Sequence, residues 1–271
     1  MTVKGLGYYP IVKLFSCISQ TFYSGLFILM VLFTSASSGV ESSEQERSYV
    51  DSQIFTLSNS YKLLMQQETG PVISLATLFN GSGRVAADEF EKTISYLQGH
   101  YSVSSPWSLG FISKSHPPSC RQKKGCWMVS YSTDVSGVLR PGADVSRFTP
   151  LKRTIDFALQ DENNVVIGPA FEGQSGSKYA YYGVTVQNTR QFGVLVSLID
   201  YQALIRAMQL NALDKNIDVE IYKIFRNAPL VKKEQFLIST VEDSENKSLL
   251  SEVLVEVNNV SYGLRWFDGR N

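Results

Sequence analysis

A chain of 271 residues can bury a substantial core, and its 44% hydrophobic, 12% aromatic and 18% charged residues are ordinary globular composition. Lys plus Arg and Asp plus Glu number 25 each, so the formal net charge is zero and no global field favours nucleic acid or another polyanion. The distribution says more: residues 1–40 hold Lys4 and Lys13 and no acid, whereas Glu41, Glu44 and Glu46 open the next segment.

Between Lys13 and Glu41 roughly 27 residues carry no charge, more than the about 20 that cross a hydrocarbon core as a helix. Leu26–Phe33 is the most apolar part, and Ser35-Ala36-Ser37 offers small residues at which a signal segment is cleaved. A retained anchor and a cleaved signal both fit. Either way the lysines stay on the cytoplasmic side and the rest is exported. Cys17, inside this segment, reads as a small apolar filler.

From Glu41 to Glu68 a polar stretch carries the seam Val50, Ile54, Leu57, Tyr61 and Leu64, which predicts a stalk helix. Such a seam pairs with a twin or packs on its own domain. Thr69-Gly70-Pro71 is expected to kink or interrupt that helix before VISLATLF runs into a loop at Asn80. Ala87–His100 reads as a helix with Asp88, Glu89 and Glu91 at the positive end of its dipole and a buried stripe of Phe90, Ile94 and Leu97. Pro106–Ile112 alternates as a strand bearing Trp107 and Phe111. Cys120 and Cys126 bracket a short basic loop, and export permits a disulfide between them. A zinc site needs further ligands and the chain has only His100 and His116, so no metal is expected. Trp127–Ser132 is the next strand; Trp127 and Tyr131, four apart, are expected on one face.

Thr149 is placed to cap a helix with Pro150 in its first turn, and Leu151, Ile155, Ala158 and Leu159 repeat at helical spacing. Asn163-Asn164 turns the chain. Tyr179–Val186 and Phe192–Ile199, joined by QNTRQ, signal a hairpin on which Tyr179, Tyr181, Gly183 and Thr185 share a face. Asp200 is placed to cap a helix over Tyr201–Leu213. Strands follow at Asp218–Phe225, Gln235–Val241, Val253–Val257 and Tyr262–Phe267, with Asn258-Asn259 between the last two. This order predicts an α+β chain: an N-terminal membrane helix and stalk helix, then two PAS-like antiparallel-sheet subdomains.

Gly142 and Asp144 before the helix, Ala158 late in it, Pro169 after the next strand and the hairpin running into SLIDYQALI together resemble a CHASE domain, over roughly residues 41–267. The resemblance implies the extracytoplasmic ligand-binding module of a membrane receptor kinase or cyclase, with a retained anchor. It implies a cytoplasmic N-terminus and anchor at 1–40 and a sensor at 41–271: stalk 41–80, ligand-binding half about 85–200, membrane-proximal half about 201–271. The cytokinin-receptor branch of that family places a pocket threonine at Thr185. Its pocket aspartate falls at Leu151 and its Thr-Ser-Pro strand at Ile167-Gly168-Pro169, so one of three contacts matches. Between Ile112 and Trp127 the chain also lacks the helix many members carry.

Enzyme signatures are missing: no phosphate loop ending in Lys-Ser/Thr, no G-x-S-x-G and no H-E-x-x-H occurs. The loop Glu172–Ser177 is glycine-rich but opens no helix. Binding pockets are mostly apolar with a few placed polar groups, which singles out Trp107, Phe111, Trp127, Tyr131, Tyr181 and Thr185 as ligand-binding candidates. The expected function is small-molecule sensing outside the cytoplasm, periplasmic in a bacterium, without cofactor, metal, catalysis or nucleic acid, and with a homodimer through the stalk. The other reading is a structural or interaction protein of the envelope, its aromatics filling a core.

Overall fold

The computed structural model describes residues 11–103, 107–115, 117, 120, 125–134, 137–162, 164–173, 176–210, 216–225, 233–241 and 247–269, and for 11–43, 225 and 233–235 the backbone alone. Helix α1, Ile11–Gly81, begins in a first unit that ends at Ser52; residues 53–271 form the second, which holds both sheets. Among the described residues no helix is long and apolar enough to cross a membrane. The segment expected to do so lies where the side chains are outside the described residues.

From Gln53 onward α1 buries Ile54, Leu57, Tyr61, Met65, Val72, Leu75, Ala76 and Phe79 on its own unit. The seam read as a stalk therefore packs on the chain's own sheets from Ile54. Nor does Pro71 break the helix: α1 runs through it. An interior proline costs about 3 kcal/mol, and burial of the apolar residues on both sides of it outweighs that. Thr69 also turns its hydroxyl back to the Met65 carbonyl at 2.7 Å, and so needs no water.

After α2 (Ala87–Gln98) come β1 (Leu109–Ser115), β2 (Cys126–Ser132), α3 (Thr149–Gln160), β3 (Val166–Ile167), β4 (Phe171–Glu172), β5 (Lys178–Gln187) and β6 (Phe192–Asp200). They form one antiparallel sheet in the order β2-β1-β6-β5-β3, with β4 also on β5. Helix α4 (Tyr201–Leu210) leads to a second antiparallel sheet, β8-β7-β10-β9, built from β7 (Ile217–Phe225), β8 (Lys233–Ser239), β9 (Leu249–Val257) and β10 (Val260–Asp268). Mixed helix with two antiparallel sheets is the α+β architecture expected.

Local chemistry accounts for the junctions. Asp200 caps α4, its Oδ1 accepting from the Gln202 and Ala203 amides at 2.9 and 3.1 Å. Thr149 is the first residue of α3 rather than its cap: the Phe148 carbonyl takes the Lys152 amide at 2.9 Å, so the helix starts one residue early with Phe148 as N-cap. Asn258 and Asn259 both take positive φ, 49° and 65°, in the two-residue turn of the β9–β10 hairpin. Cys120 and Cys126 are joined by a disulfide, their Cα atoms 5.7 Å apart. Asn163 and the end of the helix expected to reach Leu213 lie outside the described residues.

Candidate functional site

The first sheet has two covered faces, and strand alternation distributes the candidates between them. On the face toward α3, Ile112, Trp127, Val129, Val194 and Val196 meet Leu151, Ile155 and Ala158 of the helix. Tyr181 stands on the same face with Phe148 and Phe171 beside it. The Phe171 ring stacks on Tyr181 at 5.5 Å between centroids, 15° from parallel, and Phe148 meets both edge-on at 5.6 and 6.1 Å. Tyr179 extends the row, 5.9 Å from Phe171. Trp127 and Tyr181 are buried, whereas Phe148, Phe171 and Tyr179 are half-buried, so the row opens toward solvent at its α3 entrance. Lys114 lies 5.5 Å over the Trp127 ring.

The polar groups on this face are few. Burial holds the Tyr181 phenol well above its usual pKa, and the charge of Asp134, whose Oδ1 accepts from the Gly137 amide at 2.7 Å, adds a lesser contribution. Thr185 is 4% exposed and donates to the Ala158 carbonyl at 2.6 Å. Its hydroxyl ties β5 to the last turn of α3. Leu151, at the position of the cytokinin-receptor aspartate, is wholly buried in the same core.

Phe111 and Tyr131 sit on the opposite face, against α1 and α2. Phe79 is 4.6 Å from Phe111, Phe90 is 5.6 Å from Tyr131, and Phe111 and Tyr131 stack at 5.9 Å. Trp127 and Tyr131 thus point to opposite faces, contrary to their spacing. The cause is a bulge: Phe111 pairs with Tyr131 and Ile112 with Val129, so Ser130 is extra and the alternation reverses. Trp107 precedes β1 and lines a small cavity with Glu68, Pro71 and Leu198. The six candidates therefore form three groups: Trp127, Tyr181 and Thr185 beneath α3, Phe111 and Tyr131 beneath α1 and α2, and Trp107 beside Pro71. Phe148, Phe171 and Asp134 join the first group unforeseen. Phe171, two residues after Pro169, carried a signal, since the chain must re-enter the sheet there; Asp134 carried none.

No family model matches the chain, and no curated protein matches it. Solved structures share its fold. The ligand-binding domain of the Pseudomonas aeruginosa amino acid chemoreceptor PctC, in complex with GABA, aligns with a TM-score of 0.52 at 10% identity, over 82% of this chain and 99% of that one. An extracellular ligand binding receptor from Desulfohalobium retbaense aligns at 0.51 and 10%, over 80% of this chain and 39% of that one. The ligand-binding domain of the P. aeruginosa amino acid chemoreceptor PctB, in complex with L-Arg, aligns at 0.50 and 11%, over 84% and 96%. At these identities the likeness is one of fold.

Proposed function

We propose that this chain is the extracytoplasmic, small-molecule-sensing input domain of a membrane signal-transduction receptor. The observation that carries the reading is architectural: a long helix followed by two antiparallel sheets, aligned along 99% of a chemoreceptor ligand-binding domain. The ligand site we assign is the α3 face of the first sheet, at the half-buried row Phe148, Phe171 and Tyr179, with the Tyr181 phenol and the Asp134 carboxylate as its polar groups. That set suits an amino-acid-sized ligand presenting an ammonium or another donor, the kind of group carried by GABA and L-Arg in the neighbours. Trp127 and Thr185 then shape the site from behind.

In this reading residues 1–40 are a single membrane anchor with a cytoplasmic N-terminus, about 85–200 bind ligand, and about 201–271 stand nearer the membrane. The finer kinship, with CHASE domains, rests on Gly142, Asp144, Ala158 and Pro169. A homodimer through α1 would use the part before Ile54 or the exposed side bearing Phe55 and Leu63, since the seam beyond is buried. The envelope-protein reading is favoured by one observation, the close packing of Trp127, Tyr181 and Thr185, none more than 9% exposed. A melting screen against amino acids and related amines separates the two. A ligand at about a hundred times its dissociation constant contributes roughly 2.7 kcal/mol, and Tyr181→Phe should reduce the shift. No shift across the panel leaves the envelope protein in front.

A further inference from the structure

The opposite face of the first sheet holds a groove of about 510 Å³ that the sensing reading does not use. Phe111 and Tyr131 form its floor, Phe192 its exposed apolar wall, and Arg84 and Arg190 its rim; among the described residues no acid lines it. Among the described residues no hydrogen bond or ion pair engages either guanidinium. Asp88 and Glu89, the acids nearest in sequence to Arg84, are occupied, the first by Lys92 at 3.2 Å and the second by the Ala86 amide at 2.9 Å.

The walls are fixed in advance. Gln191 brackets the Val85 backbone, accepting from its amide at 2.8 Å and donating to its carbonyl at 3.1 Å, and the Tyr131 hydroxyl donates to the same carbonyl at 3.1 Å. Gln187 and Asn188 of the β5–β6 turn grip Asn80 and the Phe79 carbonyl at 3.0 and 2.8 Å. These bonds lock the turn bearing Arg190 to the loop bearing Arg84. Ser113 and Ser130 share one hydrogen bond at 2.7 Å, so whichever donates, the other keeps an O–H for a ligand.

We propose that this groove binds a small organic anion with a planar apolar body. Its carboxylate, sulfonate or phosphate lies between Arg84 and Arg190, whose guanidinium forks match paired anionic oxygens, and its body rests on Tyr131 and Phe192. Ser130 faces the groove because of the bulge in β2, so the irregularity that divides Trp127 from Tyr131 also supplies the hydroxyl.

Isothermal titration of the full chain with benzene-1,3-dicarboxylate, beside its neutral diamide, tests this. We expect one site per chain, weakened by salt, with the diamide at least tenfold weaker; R84Q/R190Q should lose tenfold or more of the dicarboxylate affinity. Tyr181→Phe, on the other face, should leave that affinity unchanged, so the result is independent of the α3-face site. Both arginines are exposed, and the salt and diamide comparisons need no variant should R84Q/R190Q fold poorly. Absence of binding, equal binding of the diamide, equal affinity in R84Q/R190Q, or loss in Tyr181→Phe would each overturn the proposal.

Discussion

Lys223 reaches from β7 to the Ile167 carbonyl at 3.1 Å, with the Phe157 ring 5.9 Å away. Burial lowers its pKa to about 8, and the charge of Asp161 only partly opposes this. Between about 8 and the ordinary value near 10.5 the unfolded chain holds this proton and the native one has lost it. Stability therefore rises with pH across that window, by on the order of 2–3 kcal/mol. Tyr61, Tyr182, Tyr201 and Tyr262 act in the other direction, since burial raises all four. Above about pH 10 unfolded tyrosines ionise while these keep their protons, so stability falls. Urea unfolding across pH should show a maximum near 10, and Lys223→Met should remove the rising limb and leave the fall. A maximum that persists in Lys223→Met would sink this account. Thr185 makes a plainer case: Thr185→Val removes the bond to the Ala158 carbonyl, which keeps only the Asp161 amide at 3.3 Å, and should lower stability by about 1 kcal/mol with or without ligand. Trp127→Ala should cost about 3–5 kcal/mol.

At the level of elements, close approach decides more than propensity. A Cβ on Gly193 would fall 2.2 Å from the Ile112 carbonyl oxygen, backbone that cannot swing aside. Gly193→Ala should therefore part β1 from β6, costing about 1–3 kcal/mol or more and speeding amide exchange in both strands; wild-type exchange would refute the assignment. Where pattern and packing agree, the sequence was readable: the α2 stripe of Phe90, Ile94 and Leu97 is buried, the β5–β6 hairpin pairs as its polar turn implies, and Asp200 caps α4. Gly142 is needed for its φ of +80°, and Ala158 for its closeness to β5, where a Cβ on Gly183 would lie 3.4 Å from it. Those motif residues thus answer to the layout of helix on sheet, which explains why they pointed to a sensor fold without distinguishing its kind. What escaped was non-local. One extra residue, Ser130, moved Tyr131 to the other face, and burial on two sheets carried α1 through Pro71. Neither leaves a mark in local spacing, and so the candidate site was legible as a set of residue types but not as a place.

Across the second unit, the two sheets are joined by polar contacts as well as by α1. The Tyr182 hydroxyl of the first sheet and the Tyr262 hydroxyl of the second are 2.7 Å apart, with the Met65 sulfur 3.6 Å from the former and the Tyr61 ring 5.6 Å from that of Tyr262. Lys223 bonds across to Ile167, Asn259 to Asn164 at 2.6 Å, and Asn258 to Thr69 of α1 at 2.6 Å. The pair is held because the buried Tyr262 hydroxyl would lose its partner without Tyr182, while Tyr182 would keep only the weak acceptor of the Met65 sulfur. Sheets tied in this way should unfold together, and ligand bound to the first should stabilise the second. The chain has three tryptophans, Trp107, Trp127 and Trp266, so fluorescence can follow each sheet separately. In Trp107→Phe/Trp266→Phe the signal comes from Trp127 in the first sheet; in Trp107→Phe/Trp127→Phe it comes from Trp266 in the second. Within each background, adding Tyr182→Ala and Tyr262→Ala removes the junction. Urea midpoints from the two reporters should coincide while the junction is intact, once each is corrected for its own substitutions, and separate when it is removed. Coincidence in both cases would show that α1, and not the tyrosine junction, makes the two halves one cooperative body.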